Sequence, residues 1–179
     1  MNKRLLIASM ICGMLELSAQ IPQRNDLFPL HIGSTWEYHG EYRDKMHIEK
    51  DTVIQNSRMY LHVEELPDDG LIVKKYLVKR NTGVFLYNPS EDSLHFKLFM
   101  PFEPKLGDTV CINVDDIYII THLDSTFSTP LKQYDTVLIA RGKIHHYTYF
   151  FKRGIGIIGK ADEANKITHY LKKYWIGRE

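Results

Sequence analysis

YLHVEELPDDGLIVKKYLVKRNTGVFLYNPS, residues 60–90, decides the fold class of this 179-residue chain. Tyr60-Leu61-His62-Val63 lies between Asn56-Ser57 and Pro67-Asp68-Asp69-Gly70. Leu71 to Lys79 follows, ends at Asn81-Thr82-Gly83, and gives way to Val84-Phe85-Leu86-Tyr87 before Asn88-Pro89-Ser90. Apolar and aromatic residues recur here at a period of two, and Asp-Gly at the end of a short polar loop is a hairpin signal. Three short strands with turns between them belong to an antiparallel meander rather than to a helix-bearing unit.

The same pattern extends in both directions. Leu94 to Phe99 alternates, and Val110–Val114, Asp116–His122, Thr136–Ala140, His145–Phe151 and Thr168–Trp175 read as further strands. Only Lys160–Lys166 (KADEANK) has helix-favouring composition, and it is short enough to be a turn or a hairpin loop. The expected architecture is all-β: a single antiparallel, strongly curved sheet, half-barrel or open-barrel-like, with little helix. Residues 21–179 then form one domain, because no second linker, repeat or low-complexity tract interrupts them. Hydrophobic residues make up 44% and aromatics 12%, enough to build a core and too many for a disordered chain. The formal charge of +1 offers no general attraction to nucleic acid.

The N-terminus has the form of a secretory signal. Lys3 and Arg4 precede the eleven-residue apolar run Leu5–Leu15, Glu16 ends it, and Ser18-Ala19-Gln20 supplies small residues for cleavage. Such a run makes a helix of only about 16 Å, against a hydrocarbon core of about 30 Å, so a transmembrane helix is not expected in the mature chain. Residues 1–20 are accordingly read as a signal peptide and the protein as exported, periplasmic or secreted. A lipid anchor at Cys12 is disfavoured, because Ile11 stands where lipoprotein processing wants a small residue. Removal of the segment takes Lys3, Arg4 and Glu16 and leaves positive and negative side chains equal in number. It also leaves Cys111 alone between Val110 and Ile112, the setting of a small core residue.

Four stretches together resemble a group of exported bacterial all-β proteins and lipoproteins of unknown function. Phe28-Pro29-Leu30-His31-Ile32-Gly33-Ser34-Thr35-Trp36-Glu37-Tyr38 is similar to an FPLxxGxxWxY opening. Ser57–Tyr60 leading to Tyr76–Arg80 is similar to a strand pair before a Gly-Val-aromatic turn, and Leu106–Val110 to an LGDTW-like element. Tyr149–Ile158, YFFKRGIGII, is similar to a YFxKGIGLI signature. The order covers most of residues 28–176. The resemblance implies a curved antiparallel sheet akin to periplasmic carriers and scaffolds, often lipid-anchored, and it transfers no catalytic residue.

Physically these stretches look like joints. Gly33 breaks its run so that Trp36 and Tyr38 open a strand with both rings on one face, and a buried Trp there needs an acceptor for its N–H. Gly107 marks a turn. Gly154, Gly156 and Gly159 permit positive φ, a bulge or close strand approach, and they lack the spacing and the following helix of a phosphate loop.

Sites are harder to find. Nine histidines include no HExxH and no HxH. Ligands could still converge across strands, with His62, His122, His146 and His169 the first to inspect, but no metal site or cofactor is expected. Glu64-Glu65, Asp68-Asp69, Asp115-Asp116 and Asp162-Glu163 diverge on strands or read as turn chemistry, and no GxSxG frame is present, so no enzyme is expected. Lys74-Lys75 and Lys172-Lys173 read as solvated strand positions. The remaining signal is aromatic: Trp36, Tyr38, Tyr147, Tyr149, Phe151, Tyr170 and Trp175 are the candidates for a ligand or partner face. The expected function is a non-enzymatic binding or scaffold module of the cell envelope that meets an envelope protein or a lipid-like ligand. The alternatives are a periplasmic carrier with an aromatic-lined apolar cavity, and a metal-dependent envelope hydrolase.

Overall fold

The computed structural model describes residues 26–41, 43–54, 56–66, 70–87, 96–113 and 116–177. Their strands are β1 (Thr35–Gly40), β2 (Lys45–Ile54), β3 (Ser57–Leu66), β4 (Leu71–Arg80), β5 (Gly83–Tyr87) and β6 (Phe96–Pro101). They continue with β7 (Thr109–Asn113), β8 (Asp116–Ser128), β9 (Gln133–Gly142), β10 (Thr148–Lys152), β11 (Gly156–Ala161) and β12 (Ile167–Trp175). All belong to one antiparallel twelve-stranded sheet in the order β6-β5-β4-β3-β2-β1-β12-β11-β10-β9-β8-β7. Every ladder but one joins strands consecutive in the chain; the exception, β1 with β12, joins the first to the last. The sheet curls into a nearly closed barrel. Its edge strands β6 and β7 come close to each other but share no ladder, leaving a seam.

The alternation that predicted strands also sorts their faces. Trp36 pairs with Met46, Met46 with Glu64, Ile48 with His62, and His62 with Lys75, so these side chains line the interior. Across β1 the outward row runs Lys173, Glu37, Lys45, Glu65, alternating in charge from strand to strand, as suits a face in water. No helix among the described residues is long and apolar enough to cross a membrane.

Residues 27–31 do not belong to the wall. Leu27, Phe28 and Leu30 are buried in the interior cluster with Trp36, Phe99, Phe151, Ile157 and Leu77. The Phe28 ring stacks on Trp36 at 5.4 Å and meets Phe99 edge-on at 5.0 Å. Asp26 holds the outer end of this plug: its carbonyl accepts from the Gly154 N–H at 2.8 Å and its carboxylate from Lys79 at 2.7 Å. Gly33, at φ 80°, turns the chain out of the barrel, and its N–H donates to the Ile48 carbonyl at 2.9 Å.

The Gly-rich stretch uses all three glycine properties. Gly154 and Gly156 take φ of 74° and 102°. Between Phe150↔Gly159 and Phe151↔Ile157 the register shifts by a residue, a bulge at Ile158. Gly159 faces outward beneath the Phe127 ring, which stacks on Phe150 at 3.9 Å; a Cβ there would lie 2.5 Å from that ring.

Two strands lie where the alternation is broken. In β2 a register shift between Ile48 and Lys50 interrupts the pattern amid Glu49, Lys50 and Asp51, and β11 is masked by its glycines. β8 runs on to Ser128, beyond the expected His122, through THLDSTFS, where three register shifts leave no clean period. Residues 162–166 of KADEANK form the β11–β12 turn, with Asn165 at φ 61°.

Two measurements test this packing. Phe28→Ala should lower the unfolding free energy by about 3 kcal/mol, because three ring contacts vanish and the plug cannot collapse onto the wall. Gly159→Ala should cost about 1–3 kcal/mol through overpacking against Phe127. Urea midpoints read both. A loss within 0.5 kcal/mol for Phe28→Ala would mean that the plug is not part of the core.

Candidate functional site

Chemistry-bearing side chains gather inside the barrel, at the end marked by Gly40, Leu66 and Ala161, opposite the plug. Tyr38, Asp44, Glu64, Tyr149, Lys160 and His169 surround a small void of about 40 Å³, room for about one water. Lys75 pairs with Glu64 at 3.2 Å, and the His169 Nε2 lies 3.2 Å from the Asp44 carboxylate. The Lys160 ammonium sits 3.8 Å from the Tyr147 ring centroid. Burial pushes the Lys160 ammonium to a lower pKa, against the pull of Glu64 and Asp44. Glu64 is the reverse case: burial raises its pKa, but Lys75 and its neighbours bring it below the usual carboxylate value.

His62 stands where plug and polar cluster meet. It is 4% exposed, its ring packs edge-on against Phe28 at 5.8 Å, and neither ring nitrogen has a hydrogen-bond partner. Burial first, and the Lys75 charge second, lower its pKa to about 4. The imidazole is therefore neutral at pH 7 and sits as an apolar ring with two unsatisfied nitrogens.

The seam holds the larger space. Between Lys97 and Leu98 of β6 and Thr109–Cys111 of β7 lies a cleft of about 420 Å³, walled on its far side by Asp116, Ile117 and Ile144. Lys97 pairs with the core residue Leu86 and lies on the inward face, whereas Ile117 and Ile144 form an exposed lip, 45% and 58% accessible. Asp116 positions that lip. Its carboxylate, 1% exposed, accepts the N–H groups of Ile117 at 2.7 Å, Ile144 at 3.1 Å and His145 at 3.3 Å. Burial raises the Asp116 pKa, but these backbone donors and the Tyr118 hydroxyl outweigh it and hold the carboxyl below its ordinary value. The acid read from sequence as turn chemistry thus also ties the β9–β10 loop to the β7–β8 hairpin.

The aromatic candidates separate. Trp36, Tyr38, Tyr149 and Phe151 point inward and are buried. The Trp36 indole N–H donates to the Ile155 carbonyl and the Tyr38 hydroxyl donates to the Ile157 carbonyl at 2.9 Å, which locks the FPLHIGSTWEY stretch onto KRGIGIIG. Tyr147 lies at the rim of the polar end. Tyr170 faces outward against His39, and Trp175, 61% exposed, lies at the plugged end. None of the seven lines the seam cleft. Gly33, Gly107, Gly154 and Gly156 all take positive φ, the last three at 86°, 74° and 102°. His122 is exposed beside Thr121, and His146 lines a surface hollow with Arg141 and Glu163. Among the described residues no group of three or more His, Cys, Asp or Glu is placed to hold a metal ion. Asp68, Asp69 and Asp115 lie outside the described residues, as do residues 1–20. Lys75 departs from the solvated position expected of it, because it faces inward to Glu64.

Protonation of His62 tests the interior. Its folded pKa of about 4 lies below an unfolded value of about 6.5, so the unfolded state binds the proton first. Stability is present above pH 6.5 and falls as pH drops from 6.5 towards 4, by about 3 kcal/mol in the limit. Urea unfolding of His62→Phe between pH 4 and 7 should lack this dependence and leave stability at pH 7 unchanged or raised. An equal slope in both proteins excludes His62 as its source.

No family model and no curated protein matches the chain. Among solved structures it resembles a "putative lipoprotein" from Parabacteroides distasonis ATCC 8503, with 13% identity and a TM-score of 0.40 over 84% of this chain and 98% of that one.

Proposed function

We propose that the protein is an exported, non-catalytic binding module of the cell envelope that holds its ligand or partner at the β6–β7 seam. One observation carries this reading: the seam is the place where a barrel otherwise closed by ladders leaves an apolar cleft of ligand size, about 420 Å³, with two isoleucines exposed on its lip. The interior offers the carrier alternative far less, since the plug fills one end and the void beside Tyr38 and Tyr149 measures about 40 Å³. Export rests on the signal-like residues 1–20, and the resemblance of the FPLxxGxxWxY and KGIGLI-like stretches to exported β-proteins points the same way.

Native mass spectrometry of protein recovered gently from its own envelope or medium tests the reading. The expected result is a ligand or partner that leaves on denaturation and that is lost in Ile144→Arg, a substitution at an exposed lip position that the fold tolerates. A species retained in Ile144→Arg but lost in Lys160→Met moves the site into the barrel. Bare protein under all conditions overturns the reading.

A further inference from the structure

We infer that the seam cleft takes an uncharged single-chain amphiphile, a long-chain alcohol in its simplest form, as a dissolved molecule and not as part of a bilayer. The inference rests on the proposed seam site and deepens it by naming the ligand class.

Most of the lining is hydrocarbon. Leu98 comes from β6, Val110 and Cys111 from β7, Ile117 from β8 and Ile144 from the β9–β10 loop. Val110 and Cys111 are buried and join the core, whereas Ile117 and Ile144 stand exposed. A hydrocarbon chain seated between them removes both isoleucines from water, which supplies the driving force. The volume of about 420 Å³ lies towards the lower end of the range for small-molecule sites, about 300–1,000 Å³, and suits one chain better than two.

Charge decides against an ionic head. Among the described residues two charged side chains belong to the lining, Lys97 and Asp116, and both are already engaged within the chain. The Asp116 carboxylate is buried and accepts the N–H groups of Ile117, Ile144 and His145. Lys97 likewise has an interaction partner of its own. An anionic head would meet a fixed carboxylate in the wall, and a cationic head would have to displace the backbone donors that hold the β9–β10 loop. Either ion would give up hydration without a counter-charge to replace it. Thr109, exposed at the start of β7, brings an uncharged polar group to the same lining. Its hydroxyl can donate to and accept from an alcohol, ester or amide head.

Titration calorimetry with decanol, decanoate and decyltrimethylammonium tests the inference, paired with maleimide labelling of Ile117→Cys on the exposed lip, read by peptide mapping. Decanol should slow the labelling at least tenfold and bind at least tenfold more tightly than either ion. Ile144→Asp should weaken decanol at least tenfold, and Ile144→Lys, which puts a cation on the lip, should bring decanoate ahead of decanol. Circular dichroism checks that these variants fold. An ionic amphiphile that binds within about threefold of decanol, or decanol binding that leaves the lip thiol unprotected, overturns the inference. So does sedimentation of the protein with phosphatidylcholine vesicles that Ile144→Asp abolishes, which would make the cleft a bilayer contact. If decanol fails while native mass spectrometry finds an ionic or peptide ligand that Ile144→Arg releases, the ligand class is wrong and the seam site stands. Failure of both removes the site itself.

Discussion

Twelve strands bent into a barrel enclose more space than their own inward side chains can fill. Eight strands leave an interior just wide enough for side chains, and much larger barrels hold water. This chain meets that constraint by folding residues 27–31 back inside, where Phe28 spans the gap between Trp36, His62 and Phe99. Most other features of the plugged end follow. Gly33 must reverse the chain after the plug, and Gly156 holds a φ of 102° that favours glycine while Phe28 passes over it, with a Cβ there 3.2 Å from the ring. The Trp36 and Tyr38 polar groups, stranded in the core by the same packing, find acceptors at Ile155 and Ile157.

The plug reaches only partway. Beyond His62 the interior is filled by polar groups instead of hydrocarbon: the Lys75–Glu64 ion pair, Asp44 beside the His169 ring, whose pKa burial lowers, and Lys160 over Tyr147. Buried ion pairs contribute little net stability, since desolvation offsets much of the attraction. Their effect is to fix the geometry of the polar end and to leave little room for a guest. The large cleft lies at the seam, where edge geometry and not interior volume shapes it.

How much of this was legible in the sequence depends on the period of two. It identified the all-β class, the curved sheet and most strands, because Leu71–Lys79 or Thr168–Trp175 can do little else. It also identified Trp36 and Tyr38 as a same-face pair and the glycines as joints. It did not orient β3. Leu61 and Val63 look like the core face, yet they face outward towards Tyr76 and Lys74, while His62 and Glu64 face inward. Both faces of that strand are buried, so alternation alone cannot choose between them. The same ambiguity hid Lys75, which turns inward to Glu64 on the neighbouring strand, and Lys160, which lies over the Tyr147 ring. The seam escaped notice for a further reason: an absent ladder between β6 and β7 is a property of closure, and neither strand carries a residue that announces it.

The order of strands has a mechanical consequence. A cylinder whose every strand is laddered to the next has a fixed circumference, because widening it breaks backbone hydrogen bonds. This barrel is a split ring. Its two free rims can draw together or part with every existing ladder intact, so side-chain packing alone sets the diameter. The wall behaves as a spring clip whose rims are β6 and β7 and whose hinge is the ladder that joins the first strand to the last, β1 to β12, on the far side of the ring.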